Sequence, residues 1–100
     1  MTRKYIAIFF LPVPQKEHAE IEKAVAYHSD GDYKRAFLNA NRDGSGVVGY
    51  VFTSNTVPWE MGFGLLNGDT KLIVEIGDRY SEEGHNIAGA WLRAHQSRTE

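Results

Sequence analysis

The sequence has no cysteine among its 100 residues. That absence excludes disulfides, thiolate nucleophiles, Fe–S clusters and cysteine-based zinc sites, and it fits a reducing compartment. Long apolar runs are also missing. The strongest run, residues 4–11, stops at Pro12 and is far shorter than the roughly 20 residues of a transmembrane helix. The segment superficially resembles a signal peptide, but Pro12 and Pro14 interrupt the apolar run and no small-residue cleavage site follows. We therefore expect a cytoplasmic protein with no membrane association.

An excess of one charge is missing as well. The chain carries 11 basic and 13 acidic residues, its net charge is −2, and the basic residues are scattered. A protein that binds nucleic-acid backbones needs a basic face, so nucleic acid is the least expected partner. The hydrophobic share of 42% is that of an ordinary globular protein. The length predicts a single α/β domain over residues 1–100, with a polar tail from about residue 97.

The N-terminal part predicts a strand followed by a helix. Residues 4–11 are mostly β-branched or aromatic at both parities, a pattern typical of a central strand with two apolar faces. Residues 15–28 carry apolar positions at helical spacing among charged ones. The Ser-Asp-Gly-Asp sequence at 29–32 is expected to end that helix.

The middle of the chain predicts a β-hairpin. Residues 33–40 and 47–54 are two apolar-rich runs, and Asp43-Gly44 lies between them. An Asp-Gly pair between such runs is a strong short-range hairpin signal.

The C-terminal half predicts a helix, a strand and a final helix. Thr56 can cap a helix that has Pro58 in its first turn and runs to about residue 66. Residues 72–76 form the fourth strand, and Ser81 opens the last helix. The apolar stripe expected on that helix consists of Ile87, Ala90, Trp91 and Ala94.

The order of elements is β-α-β-β-α-β-α. Its first six elements match the ferredoxin-like plait. The predicted fold is thus α+β, with a four-stranded antiparallel sheet in the order 4-1-3-2, two inner helices on one side and an additional C-terminal helix. The alternative is a small doubly wound α/β sheet, which requires residues 33–40 to be helical.

No motif predicts a cofactor or a metal. Residues 44–49 spell GxGxxG, but a strand follows them, whereas the dinucleotide fingerprint needs a helix there. Residues 39–44 begin like a calcium loop, yet Tyr50 occupies the twelfth position, where a bidentate Glu belongs. We therefore expect no cofactor and no metal.

Glu60 is the candidate catalytic residue of an alternative, enzymatic interpretation. It lies in the apolar stretch 58–66, where a carboxyl can acquire a shifted pKa. Residues 59–65 resemble the Glu-x-Gly-x-Ala stretch of nucleoside 2-deoxyribosyltransferases, through Glu60 and Gly62. The resemblance implies that Glu60 is the nucleophile on the sugar. The competing interpretation has Glu60 in solvent near a helix start, and it predicts that Glu60→Gln leaves the function intact.

The open side of the sheet is the favoured working surface. Strand alternation assigns Leu72, Val74 and Ile76 to the helix-packed face and Glu75 to the opposite face. Leu72 and Val74, with Val48 and Phe52, are expected in a protected core or interface. Large apolar groups are expected on the open face, and such a patch is rarely left in water. The residues expected to bind there are Arg35, Phe37, Tyr50, Phe52 and Glu75.

The favoured function is therefore a small non-enzymatic binding protein that contacts a protein partner or a second copy of itself. The last helix, folding across the open face, is the structural alternative. A third interpretation comes from residues 49–52, which resemble the third-strand motif of RNA-recognition domains. It implies binding of single-stranded nucleic acid, although Val48 stands where that motif has a basic residue.

Overall fold

The computed structural model describes residues 2–12, 18–42, 45–63, 65, 68–77 and 86–95. These residues form an α+β fold with a four-stranded antiparallel sheet and two helices. The elements follow one another as β1 (Arg3–Leu11), α1 (His18–Ser29), β2 (Tyr33–Ala40), β3 (Gly46–Ser54), a single 3₁₀ turn (Pro58–Glu60), β4 (Thr70–Ile76) and α2 (Asn86–Ala94).

The strand order in the sheet is β2-β3-β1-β4. This is the predicted order 4-1-3-2 read from the other edge, and every neighbouring pair is antiparallel. The predicted β2–β3 hairpin is confirmed, although Asp43 and Gly44 themselves lie outside the described residues. Because Tyr33–Ala40 is a strand, the doubly wound alternative is wrong.

The end of α1 lies where the Ser-Asp-Gly-Asp signal predicts it. Asp30 and Gly31 have φ values of 53° and 86°, in the left-handed region that commonly closes helices. The Gly31 amide donates a hydrogen bond to the carbonyl oxygen of Ala26 at 2.9 Å. This turn brings the chain directly into β2 along the sheet edge.

The main core lies between α1 and one side of the sheet, called here the first face. Alternate residues of β1 and β3 point into it, and Ile21 and Val25 of α1 close it from above. Its strand residues are Tyr5, Ala7, Phe9, Leu11, Val48, Tyr50 and Phe52.

The second predicted inner helix is wrong over the described part of residues 56–66. Only Pro58–Glu60 is helical, and no side chain caps the turn. Met61 and Phe63 are buried in the main core while Gly62 between them is exposed, so the segment alternates with a period of two. An extended segment therefore covers the first face where a helix was predicted.

The C-terminal helix α2 packs on the opposite side of the sheet, called here the second face. Trp91 and Leu92 are buried there against Val51, together with Ala88 and partly buried Ile6, Ala36 and Ile76. Of the predicted stripe, only Trp91 is buried, whereas Ile87, Ala90 and Ala94 are exposed. The inner side of α2 is thus set by positions 88, 91 and 92, one residue out of phase with the prediction.

Candidate interaction surface

The second face is covered over only part of its area. The cluster around Trp91 and Leu92 reaches Ile6 on β1 and Ile76 on β4. Further along β1, Ile8 is half-buried and Phe10 is exposed. The described residues of α2 therefore leave the far end of this face open to solvent.

The uncovered end forms a contiguous apolar surface that we call the open platform, made of Ile8, Phe10, Leu72 and Val74. Phe10, Leu72 and Val74 are 45%, 53% and 46% exposed. The sheet register places Ile8 opposite Leu72 and Ile6 opposite Val74, so these side chains are lateral neighbours on one face. Single exposed apolar residues are ordinary, but a contiguous set across two strands marks a candidate contact surface.

Phe37 borders the open platform on the β2 side. It lies opposite Gly49, and a Cβ added at Gly49 would overlap the Phe37 ring. Glycine at this position lets the aromatic ring lie flat on the sheet. A bulge between Arg35 and Phe37 turns Phe37 to the second face. The prediction that Phe37 lies on the side away from α1 is therefore met.

Charged side chains occupy the first-face side of β4, on the side of the sheet opposite the platform. Lys71 Nζ donates to the Met61 carbonyl oxygen at 3.0 Å and lies 5.1 Å from the Phe63 ring centroid. Glu75 Oε2 accepts a hydrogen bond from Arg3 Nη1 at 2.9 Å, with both side chains about half exposed. Edge strand β4 thus carries one cation and one anion, with Ile73 between them.

Four of the five residues expected on the open face lie on the other side of the sheet. Tyr50 and Phe52 are buried in the main core beneath α1, so the expectation that they face a partner is wrong. Arg35 lies opposite Tyr50 and Glu75 opposite Tyr5, which places both at the rim of the first face. With Tyr50 and Phe52 buried, β3 does not present the exposed aromatic side chains that the RNA-recognition resemblance implies.

The prediction of which β4 residues face the helix-covered side of the sheet is also wrong. Ile73 lies opposite Ala7 and packs against the main core, whereas Leu72 and Val74 point to the second face and are exposed. Both sides of this strand carry apolar residues, so alternation alone does not reveal which side α1 covers. Val48 and Phe52 are in the core as predicted.

The phenol groups of Tyr50 and Tyr33 lie near the Glu22 carboxylate on the first face, close to β2. Burial, followed by the nearby Glu22 carboxylate, raises the pKa of Tyr50 to about 12. The Tyr33 hydroxyl donates to Glu22 Oε2 at 2.8 Å, and this hydrogen bond raises the pKa of Tyr33. Both phenols are thereby kept protonated, which suits a structural role.

A histidine–carboxylate contact fastens the end of α2 to the start of β2. His95 Nε2 lies 2.9 Å from both oxygens of Asp32, and Nδ1 lies 2.8 Å from the Trp91 carbonyl oxygen. The Thr53 hydroxyl donates to Asp32 Oδ2 at 2.8 Å, so it contacts the carboxylate and not the imidazole. That order does not form a nucleophile–base pair, which requires the hydroxyl beside the ring.

The same contact borders an open cavity of about 740 Å³ between α2 and the start of β2. Ile87, Ala90 and Trp91 supply much of its lining. Asp32 and His95 also line it, but they are already paired with each other. Asp32 and His95 thus hold the end of α2 in place.

Glu60 lies at the end of the 3₁₀ turn and is exposed, as are neighbouring Trp59 and Gly62. Its amide donates to the Val57 carbonyl oxygen at 3.0 Å. The apolar surroundings expected from the sequence are therefore not found around this carboxyl. Whether Glu60 is dispensable for function stays a prediction.

The described residues contain neither a cluster of metal ligands nor a membrane-spanning helix. No group of three or more His, Asp or Glu side chains in that part of the chain could hold a metal ion. Over the same residues, neither helix is long and apolar enough to cross a membrane.

The signal for the open platform was present in the sequence but ambiguous. Phe10, Leu72 and Val74 belong to strands with apolar residues at both parities. Comparisons with protein-family models, with curated proteins and with solved structures found no match for this chain.

Proposed function

We propose that the chain is a small non-enzymatic binding protein that works through the open platform, and that the molecule bound there is a second copy of the chain. The scaffold is best described as a ferredoxin-like plait whose second crossover helix is reduced to one turn. A plait of this kind has a sheet side that its crossovers do not cover. In this chain, α2 covers part of that side and leaves the platform.

The observation that carries the proposal is the joint exposure of Phe10, Leu72 and Val74 on adjacent strands. Burial of apolar surface of this kind is the dominant favourable contribution to most protein–protein association. The exposed part of the platform would be removed from water by a protein surface of matching shape. Phe37 would extend the contact toward β2.

A second copy suits this surface because a two-fold contact needs only one self-complementary patch. The net charge of −2 is small, so two copies do not repel strongly at long range. Lys71 and Glu75 lie on the same strand as Leu72 and Val74 but point to the first face, so the β4 edge of each copy carries both signs of charge.

The polar clusters support a binding rather than a catalytic role. Asp32 is engaged by His95 and Thr53, and Glu22 is engaged by Tyr33. Glu75 is engaged by Arg3. Catalytic acids and bases are usually found in a cleft, beside a nucleophile or an oxyanion-stabilising group. The exposed position of Glu60 gives no such arrangement among the described residues.

Sedimentation equilibrium of two matched variants tests the proposal. Leu72 and Leu38 are both about half exposed on edge strands, but only Leu72 belongs to the open platform. We expect the wild-type chain to associate with rising concentration and Leu72→Lys to weaken that association by about tenfold or more. Leu38→Lys should behave as wild type.

A wild-type chain that stays monomeric up to millimolar concentration would refute the proposal. Equal association by wild type and Leu72→Lys would do the same. Far-UV circular dichroism of each variant shows that its fold is retained.

A further inference from the structure

We infer that two copies of the chain join by antiparallel pairing of their β4 strands, about a two-fold axis that passes beside Ile73. The inference rests on the proposed function, since it assumes that the chain associates with itself. It adds the symmetry, the strand register and the residue pairs of that association.

The outer edge of β4 is suited to strand pairing. Among the described residues β1 is the only strand beside it, and the β1–β4 register runs without a bulge. Every residue of Thr70–Ile76 is exposed or half-buried. A regular apolar edge strand presents unpaired backbone groups in a straight row, and such an edge is a template for another strand.

One register pairs the whole strand with itself. Strand β4 has seven residues, and its central residue is Ile73. Antiparallel pairing centred there places Thr70 opposite the partner's Ile76 and Leu72 opposite the partner's Val74. It also places Lys71 opposite the partner's Glu75. By symmetry each pair occurs twice, and opposite charges or apolar pairs facing each other stabilise a sheet.

The charged pair can form without breaking the contacts that hold each side chain. Lys71 has three donors, of which one is directed at the Met61 carbonyl oxygen. Glu75 accepts from Arg3 through Oε2, and a carboxylate has further lone pairs on both oxygens. An Arg3–Glu75–Lys71 arrangement would then cross the two-fold interface on the first-face side.

Neighbouring registers lose this complementarity. Centring the axis on Leu72 would place Lys71 opposite the partner's Ile73, and centring it on Val74 would place Ile73 opposite the partner's Glu75. Both registers also leave residues at one strand end unpaired. The register centred on Ile73 is therefore the one in which the charges and the strand length agree.

The two ends of β4 differ in how the second face is covered. Thr70 neighbours Phe10 at the uncovered end, while Ile76 packs with the α2 cluster at the covered end. Because the two β4 strands run in opposite directions, each end of β4 in one copy lies beside the other end of β4 in its partner. The covered end of one copy then lies beside the uncovered end of the other, and Leu72 and Val74 gain apolar neighbours on both sides.

Disulfide trapping tests the register directly because the natural chain has no cysteine. Opposed residues have Cβ atoms about 4.5–5.5 Å apart, whereas diagonal ones are about 7–8 Å apart. We expect Ile73→Cys to cross-link to itself under mild oxidation. Leu72→Cys alone and Val74→Cys alone should not, but a mixture of these two variants should form the mixed dimer. Leu38→Cys is the control that stays uncross-linked.

Two trapping experiments are needed for a geometric and a folding reason. Adjacent antiparallel pairs alternate between a wider and a closer spacing, so one of the two experiments samples the closer pair. Ile73 also packs against the main core, whereas Leu72 and Val74 are exposed and tolerate cysteine without loss of the fold.

Charge exchange provides an independent test by sedimentation. Glu75→Lys places two lysines opposite each other in each pair and should weaken association by about tenfold. Glu75→Gln, which removes the Arg3 bridge without reversing the charge, should have a smaller effect. The Lys71→Glu/Glu75→Lys double variant should regain association. Equal amounts of the Lys71→Glu and Glu75→Lys chains should prefer the mixed dimer.

The outcomes separate the two proposals. If the wild-type chain is monomeric, both are wrong. If it associates and Leu72→Lys weakens it, but neither trapping experiment yields the expected dimers, the platform is used and the β4 register is wrong. Cross-linking of Leu72→Cys to itself would also overturn the register.

Discussion

The two edge strands of the sheet, β2 and β4, are built differently. Strand β2 carries adjacent cations, Lys34 and Arg35, and a bulge follows them. Strand β4 is regular, and its charges, Lys71 and Glu75, are opposite in sign. Bulges and charged side chains, especially lysine, are devices that hinder edge-to-edge pairing. The first edge is thus protected against another strand, whereas the second is complementary to itself.

The two sides also differ in what covers them. On the β2 side, α1 and α2 pack against opposite faces, the Phe37 ring lies on Gly49, and Tyr33 and Tyr50 fill the space below α1. On the β4 side, the second face ends in the open platform. We therefore expect the β2 side to supply internal stability, and the β4 side is the contact surface that we propose.

The largest expected effect is the loss of the α2 anchor. Trp91 is 6% exposed and packs on Val51, so Trp91→Ala should lower the free energy of unfolding by about 3–5 kcal/mol. Trp59→Ala is the matched control: Trp59 is 81% exposed, and its replacement should change stability by less than about 0.5 kcal/mol. Urea denaturation measures both, and equal effects would show that α2 does not secure the second face.

The close contact between Gly49 and Phe37 should be next in size. An alanine methyl at Gly49 would overlap the Phe37 ring, so Gly49→Ala should cost about 1–3 kcal/mol as the ring is displaced. Gly62→Ala is the control because a Cβ there meets no atom within 4 Å. A neutral Gly49→Ala would mean that Phe37 does not lie on the sheet.

High pH should weaken the β2 side through Tyr50. Its pKa is raised from 10.0 to about 12 in the folded chain. Between these values the unfolded chain loses the phenol proton and the folded chain keeps it, so stability falls as pH rises. Tyr50→Phe should reduce that fall, measured by urea denaturation across the range, whereas exposed Tyr27→Phe should not. An unchanged slope in Tyr50→Phe would contradict the assignment.

The smallest expected effect concerns the platform itself in dilute, monomeric protein. Leu72 is about half exposed, so Leu72→Ala should cost only about 1 kcal/mol. Leu92→Ala, at a buried position under α2, should cost about 2–5 kcal/mol. Similar losses at the two leucines would indicate that the platform is covered within one chain.

Much of the fold follows from local patterns. The apolar run of β1, the Gly31 stop after α1 and the hairpin signal each specify an element without long-range information. The segment 61–63 was missed because Pro58 and Thr56 favour a helix start, whereas the alternating burial of Met61 and Phe63 depends on the core they enter. The bulge at β2 depends likewise on the fit of Phe37 over Gly49.

The side of the sheet that stays exposed is harder to predict from the sequence, for a related reason. Tyr50 and Phe52 are the largest side chains of β3, but Val51 makes the other parity apolar too. Which parity becomes the core is decided by the side on which α1 crosses the sheet. The sequence therefore predicts that an apolar sheet side needs a second cover, and the tertiary structure assigns that side to Phe10, Leu72 and Val74.

Hydrogen–deuterium exchange at low and high protein concentration tests the central claim, that β4 and not β2 is the contact edge. The account predicts that amides of Thr70–Ile76 exchange more slowly at high concentration, while those of Tyr33–Ala40 keep the same rates. Concentration-dependent protection of β2, or none on β4 in a sample that sedimentation shows to be associated, would contradict it.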